Sequence, residues 1–240
     1  VLCDIDGCLV SEGQHAFDLP SLAKVANHNA LAMQRGDRPL VTLCTGRPLP
    51  FAEAVSRLIG NLHAPLVGEM GVWLYDPAAN IAEMDPAITA EHRRAVRELA
   101  AWADLELGPA GVRQQPGKNA SVTLWHADTA FLRSLTPRVE AACAKEGWSF
   151  RVSMTWFYIN CDLTHISKGT GLDRLLKRTG LPRERLAGIG DTTSDKCIAE
   201  RVGFFACPSN AQAAIKEHAH YISPHAEALG VVDILERLAV

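Results

Sequence analysis

Val1-Leu2-Cys3-Asp4-Ile5-Asp6-Gly7-Cys8-Leu9-Val10 opens the chain. An apolar run ends in two aspartates two positions apart, and a glycine follows at once. The pattern predicts a buried first strand that ends in a turn. Alternate residues of a strand share a face. In a loop curling past the strand end, Asp4 and Asp6 can converge on one cation. Two buried carboxylates repel each other and need a metal, a proton or a basic side chain. Asp-x-Asp alone also describes a helix cap or an ordinary strand-end turn, so its meaning depends on the rest of the chain.

Outward from that strand, a helix is expected from near Pro20. Leu22, Val25, Ala26 and Asn29 form its inward stripe, and Gly36-Asp37 closes it. Leu40 to Cys44 reads as a second buried strand ending in Thr45-Gly46-Arg47-Pro48. A hydroxyl, a glycine and an arginine at a strand end suit an anion. Thr45 donates a hydrogen bond, and Gly46 permits close backbone approach. A strand-to-helix turn capped by Thr45, with Arg47 solvated, has the same signature. Phe51, Val55, Leu58, Ile59 and Leu62 make a helical stripe. Pro65 to Gly68 is a third strand, and Val72 to Tyr75 follows it. Strand, helix, strand, helix, strand implies a parallel sheet with helices on both faces. Ligands of such sheets sit beyond the carboxyl ends of the strands.

Asp76-Pro77 and Asp85-Pro86 mark a change of character. A helix from about Thr89 to Ala103 carries Val96, Leu99 and Ala100 inward. Ser121 to Trp125 and Phe157 to Leu163 alternate, which predicts sheet with one covered face. Asp128 caps a helix between them, Pro137 marks its restart, and Trp148 to Val152 adds a strand. The expected organisation is a core of residues 1–76 and 161–240 interrupted by an α+β unit at 77–160. Within that unit Arg113, Lys118 and Asn119 form either a solvated loop or a lid for a polar substrate.

After the insertion, Ser167-Lys168-Gly169 opens a helix. A lysine there opposes the helix dipole unless an anion is near. Leu186 to Gly190 is a buried strand ending in Asp191-Thr192-Thr193-Ser194-Asp195. If a helical turn begins there, Asp191 and Asp195 face one side; capping explains one of them equally well. Val202 to Cys207, Tyr221-Ile222 and a closing helix from Gly230 to Leu238 complete the core.

Composition narrows the function classes. The 240 residues are 48% hydrophobic and 21% charged, which argues against disorder. A net charge of −3 implies no basic nucleic-acid face. No apolar stretch reaches membrane-spanning length, and the first residues lack the basic flank of a signal peptide. A cytoplasmic protein, monomeric or homodimeric, is expected. The seven cysteines include no Cys-x-x-Cys pair and the nine histidines no His-Glu-x-x-His, which argues against a zinc site or a disulfide framework.

Four loops thus point at one strand-end edge, with acids in two, a hydroxyl in another and a lysine between. Acids collect a hard cation, and Mg²⁺ fits. Thr45 and Lys168 suit a phosphoryl group. A phosphate monoester meeting a carboxylate nucleophile would give an aspartyl-phosphate. A second acid would handle the leaving-group proton.

These stretches resemble the haloacid dehalogenase superfamily in its phosphatase branch. Asp4-Ile5-Asp6-Gly7 matches the first motif and Thr45-Gly46-Arg47 the second. Lys168 matches the third, and Gly190-Asp191 through Asp195 the fourth. The match spans essentially the whole chain. The insertion resembles the α/β cap of the Cof-like branch, which includes phosphoglycolate, sucrose-phosphate and mannosyl-phosphoglycerate phosphatases and also phosphomannomutases. The resemblance implies Asp4 as nucleophile and metal ligand. Asp6 would be general acid/base, binding Mg²⁺ through its backbone carbonyl. Thr45 and Lys168 would hold the phosphoryl group, and Asp191 would complete the metal site. Asp195 would support it directly, through water or through Lys168.

The chain departs from that pattern twice. Ser194 stands where such phosphatases usually carry asparagine. Met70 follows Glu69 where the third strand-end loop usually has asparagine. Ser194 stays among the candidate substrate contacts with Thr45, Gly46, Arg47, Arg113, Lys118, Asn119 and Lys168. The favoured function is a Mg²⁺-dependent phosphatase of a small sugar phosphate or phosphorylated hydroxy acid. The alternatives are a phosphosugar mutase and a non-enzymatic, receiver-like phosphate-binding domain.

Overall fold

The structure is a computed structural model, and it describes residues 1–13 and 15–239. Two compact units divide the chain, Val1–Glu83 with Lys168–Val240, and Met84–Ser167. The first begins with β1 (Leu2–Cys3), α1 (Leu19–Arg35), β2 (Thr42–Leu43), α2 (Leu49–Leu58), β3 (Leu66–Gly68), β4 (Trp73–Asp76) and β5 (Ile81–Met84). The second holds α3 (Ala90–Glu106), β6 (Arg113–Gln114), β7 (Ser121–Trp125), α4 (Thr129–Ser134), α5 (Thr136–Glu146), β8 (Phe150–Met154) and β9 (Tyr158–Leu163). The chain returns through α6 (Lys168–Thr179), β10 (Ala187–Ile189), α7 (Lys196–Ala199), β11 (Phe204–Cys207), α8 (Ala213–Lys216), β12 (Tyr221–Ile222) and α9 (Glu227–Leu238).

A five-stranded sheet, ordered β12-β11-β10-β1-β2 and parallel throughout, forms the centre of the first unit. Strand alternation divides its side chains between two cores. Cys3, Leu43, Ile189 and Ala206 pack with Leu22 and Val25 of α1, Val55 of α2, and Val231 and Ile234 of α9. Leu2, Phe205 and Cys207 pack with Leu172 and Leu175 of α6, Ile198 of α7 and Ile215 of α8. Helices therefore cover both faces, as the strand and helix alternation predicts.

Several local expectations change. β3 is not a full member of the parallel sheet. It reaches it through one bridge, Cys44 to Val67, and its own ladder runs antiparallel to β4. β5 has no counterpart in the sequence reading. Its residues are mostly exposed, so no apolar pattern marks it. It extends the β3-β4-β5 sheet past residue 76, which carries the unit boundary to Glu83. β9 pairs along its length inside the second unit, which carries the other boundary to Ser167. Leu58 and Leu62 lie outside the buried stripe of α2, at 39% and 52% exposure. The helix ends at Leu58, and Gly60, at φ 68°, reverses the chain before Leu62.

The second unit's sheet is antiparallel, ordered β6-β7-β9-β8. Thr89 caps α3 in a reciprocal pair with His92, and Asp128 caps α4. Pro137 occupies the first turn of α5. β7 is buried from Ser121 to Leu124 on both faces, where alternation predicted one covered face. Val122 and Leu124 are apolar, and on the other face Thr123 Oγ1 donates to Asn160 Oδ1 at 3.0 Å.

Asn29 lies on the inward stripe and is completely buried. Its amide nitrogen donates to Val41 O at 3.2 Å and Ile59 O at 2.7 Å, and its oxygen accepts from Val41 N at 2.8 Å. One side chain thus joins α1 to the entry of β2 and the end of α2. Asn29→Ala strands these backbone groups without water. The expected loss is about 2–4 kcal/mol, since each unsatisfied buried group costs roughly 1–3 kcal/mol. Chemical denaturation checks this, and a change below about 0.5 kcal/mol, the range of ordinary surface substitutions, would contradict it.

Candidate active site

The parallel register sets Leu2-Cys3 beside Thr42-Leu43 on one side and Gly188-Ile189 on the other. Asp4, Thr45 and Asp191 consequently leave the sheet at one edge. Lys168 reaches the same place from the first turn of α6. All four are in the first unit.

Its centre is a buried ammonium among carboxylates. Lys168 Nζ lies 2.9 Å from Asp4 Oδ2 and 2.7 Å from Asp195 Oδ1. Asp195 Oδ2 accepts the backbone N–H groups of Asp191 and Thr192, each at 3.1 Å. Asp4 Oδ1 accepts Ile5 N at 2.8 Å. Asp4, Asp191 and Asp195 each bring a carboxylate oxygen within 4.8 Å of the others. Asp191 Oδ1 is buried and has no hydrogen-bond partner.

Three buried carboxylates face one lysine here. Burial pushes Asp4 up to about 7, with Lys168 opposing and Asp195 and Asp6 adding to the rise. Burial, then Asp4 and Asp195, raise Asp191 to about 9. Burial works against the charge of Lys168, but Asp195 and Asp4 outweigh it and hold its pKa well above the ordinary lysine value. The cluster therefore takes up either protons or a cation. A set of hard oxygen donors with one orphaned oxygen fits Mg²⁺.

Two glycines make room for this. Gly7 has φ +71°, and a Cβ there would lie 2.0 Å from Asp191 Oδ2. A Cβ on Gly190 would lie 2.3 Å from the Cβ of Asp195.

Asp6 does not join the cluster through its side chain. Its carboxylate is gripped by Arg47, with Nε at 2.8 and 3.0 Å and Nη2 at 2.5 Å. The guanidinium also lies 5.0 Å from the Phe51 ring centre. Side-chain convergence of Asp4 and Asp6 on one cation is thus corrected. The chain leaves strand geometry after Asp4, and Asp6 instead bridges to Val10 in a tight loop, so the shared-face rule does not carry over.

Thr45 is completely buried, and its Oγ1 accepts Arg47 N at 3.1 Å. Gly46 lies between them. Ser194 is exposed and shares a hydrogen bond with Thr192 Oγ1 at 2.9 Å, so it is not part of the buried cluster. Arg113, Lys118 and Asn119 belong to the second unit. Arg113 Nη1 donates to Gly108 O and Val112 O at 3.0 and 2.9 Å. Lys118 is half-buried and draws down the carboxyl of Asp162, whose pKa burial raises. Asn119 is exposed.

Two supporting residues carried no functional signal in the sequence. Asn210 Nδ2 donates to Gly7 O at 2.9 Å. Gln212 N donates to Asp191 O at 2.8 Å, and its Oε1 accepts Thr193 N at 3.4 Å. Both follow the end of β11, so their position on a strand-end loop of the same sheet was the available clue.

Residues 114–235, just over half of the chain, match the family model described as haloacid dehalogenase-like hydrolase. A phosphoglycolate phosphatase of Methanosarcina acetivorans is 27% identical over 244 residues, covering 99% of this chain and 95% of that protein. One of Methanothrix thermoacetophila is 38% identical over 84 residues, 35% of this chain and 38% of that protein. A crystal structure from Thermoplasma acidophilum shares the fold at TM-score 0.74 and 16% identity, covering 99% of this chain and 96% of that one.

The pKa shifts predict how the metal-free protein responds to pH. Asp4 and Asp191 bind protons more tightly folded than unfolded. Their contribution to stability is full below the ordinary value of 3.8 and is lost as pH rises through about 7 and about 9. Thermal unfolding with a chelator should therefore show a falling Tm across that window from these groups. Mg²⁺ should raise Tm more at pH 9 than at pH 6. A Mg²⁺-induced shift independent of pH would contradict this.

Proposed function

Because this chain belongs to the haloacid dehalogenase-like hydrolase family and is a phosphatase, we propose that it is a Mg²⁺-dependent enzyme acting on a small phosphate monoester. The substrate is phosphoglycolate or a sugar phosphate, and the intermediate is an aspartyl-phosphate on Asp4. One observation carries this reading: the buried Asp4, Asp191 and Asp195 around Lys168, with an Asp191 oxygen left without a partner. Family membership also removes the receiver-like reading.

Asp4 and Asp191 would hold Mg²⁺, with the backbone carbonyl of Asp6 as the resemblance implies. Asp195 engages Lys168 with one oxygen and backbone N–H groups with the other, which suits a positioning role. Bound there, Mg²⁺ supplies positive charge that favours ionised Asp4 and neutralises phosphoryl oxygens. The Asp4 carboxylate attacks phosphorus, the bond to the leaving oxygen breaks, and that oxygen takes a proton from Asp6. Lys168 and the Thr45 hydroxyl face the charge on the phosphoryl oxygens. Water then attacks the phosphorus, Asp6 accepts its proton, and phosphate departs with Asp4 restored.

The nearly full-length likeness to a phosphoglycolate phosphatase supports a small anionic substrate. Arg113, Lys118, Asn119 and Ser194 remain candidates for reading the leaving group. A cytoplasmic monomer or homodimer, with neither nucleic acid nor membrane as partner, completes the proposal.

Asp4→Asn should fold normally and lose nearly all turnover; near-normal kcat with Mg²⁺ would remove it as nucleophile. Chelation should abolish phosphate release, and Mg²⁺ should restore it. Persistent activity in metal-free protein, checked by elemental analysis, would overturn the metal assignment.

An alkoxide needs a proton as it leaves, whereas nitrophenolate hardly does. Asp6→Asn should therefore cost a natural alkyl phosphate at least about tenfold more in kcat than an aryl phosphate, roughly 1.4 kcal/mol. Equal losses would remove the acid role.

A further inference from the structure

Glu69 and Met70 follow β3, and both lie in the left-handed region at φ 48° and 57°. Non-glycine residues adopt that region reluctantly, and glutamate and methionine lack the local hydrogen bonding that helps asparagine there. Such a conformation persists only where the surroundings enforce it.

Those surroundings are the phosphoryl side of the site. Glu69 N donates to Arg47 O at 2.8 Å, and Met70 N donates to Thr45 O at 3.0 Å. Thr45 N donates in turn to Val67 O at 2.9 Å. The turn therefore holds the Thr45-Gly46-Arg47 loop by its backbone on both sides of the glycine. Met70 Sδ sits 3.9 Å from where a Cβ on Gly46 would lie. Glu69 is completely buried, and its Oε2 accepts Trp73 Nε1 at 3.1 Å.

The helix carrying Lys168 packs on the same turn. A Cβ on Gly171 would come within 2.8 Å of Gly71 Cα and 2.6 Å of Val67 Cγ1. Arg174 Nη1 donates to Gly71 O at 3.3 Å. One strained turn thus touches both the Thr45 loop and the Lys168 helix.

We propose that Glu69-Met70 is a positioning element for the reaction. Its left-handed backbone aims two N–H groups at the Thr45 and Arg47 carbonyls, and so sets the Thr45 hydroxyl and the Arg47 grip on Asp6. The inference rests on the phosphatase reading for what the Thr45 loop binds. Its structural content, that the backbone at 69–70 fixes the loop at 45–47, stands apart from that reading.

Met70→Asn and Met70→Val separate the possibilities in the full chain with Mg²⁺. Asparagine accepts the left-handed backbone and relieves strain. Its Tm should rise by roughly 2–4 °C, and its Kd for inorganic phosphate by calorimetry should stay within about twofold. Valine is branched at Cβ and resists φ near +57°. Its crystal structure should show the Met70 N to Thr45 O link of the parent broken at the substituted position and the Asp6–Arg47 pair displaced. Its phosphate Kd should weaken by about tenfold, with kcat on an alkyl phosphate falling more than on an aryl phosphate.

A folded Met70→Val protein that keeps the 45–47 loop, the Asp6–Arg47 pair and phosphate affinity would overturn the inference. If that variant does not fold, Met70→Thr carries the same comparison at the same position, because threonine is also branched at Cβ and resists φ near +57°. There, an unchanged loop and unchanged Kd would overturn the inference as well. A wild-type protein that binds no phosphate and hydrolyses no monoester would instead refute the phosphatase reading, and the crystal comparison would still decide the role of the turn.

Discussion

A buried charge imbalance organises the first unit. Lys168 contacts Asp4 and Asp195, and Asp191 adds a third carboxylate to the same cluster. Removing such groups from water is expensive, and their attraction offsets the cost only when geometry and hydrogen bonding are good. Lys168 satisfies part of the requirement, and the backbone N–H groups of Ile5, Asp191 and Thr192 satisfy more. The remainder appears as raised pKa values on Asp4 and Asp191 and as the orphaned Asp191 oxygen. A cation resolves both at once, whereas protons resolve them by removing the carboxylate that the proposed mechanism uses as its nucleophile.

The fold meets this requirement through chain geometry more than through any single contact. β1 lies between β2 and β10, so three strand ends deliver their loops side by side. Gly7 and Gly190 then let those loops approach more closely than a Cβ would allow. Asn210 and Gln212, from the loop after β11, hold Gly7 and Asp191 by their backbone carbonyls. Apolar packing on the two faces of the sheet secures the strands that the charged centre strains against.

The sheet and its chemical edge were legible because each central strand is a short apolar run ending abruptly in a polar residue. Leu2-Cys3 before Asp4 and Ala187-Ile189 before Asp191 are the clearest cases. The poorly legible parts lacked that contrast. β5 is exposed, and β3 owes its direction to β4, a pairing that local sequence does not encode. The Asp6 side chain followed loop geometry, so strand periodicity misplaced it. The left-handed backbone of Met70 was hidden for another reason: methionine is a residue that pattern reading assigns to packing, and it rarely adopts that conformation.

The distribution of polar groups also bears on where selectivity can arise. Asp4, Asp195, Lys168 and Thr45 are almost wholly buried, and each has at least one short partner inside the first unit. Groups held this firmly can recognise the phosphoryl end common to all phosphate monoesters. They offer little with which to tell one alcohol from another. Discrimination among leaving groups requires polar atoms that are positioned yet reachable, because a substrate hydroxyl or carboxylate that goes unmatched is rejected most strongly by a site built to pair with it. In the second unit Arg113 already directs Nη1 at the carbonyls of its own loop, which fixes its stem near Gly108. A guanidinium anchored in this way retains other N–H donors for a ligand carboxylate and loses little further freedom in pairing with one. Under the proposed function, an arginine held in this way would suit a carboxylate-bearing leaving group better than a neutral one.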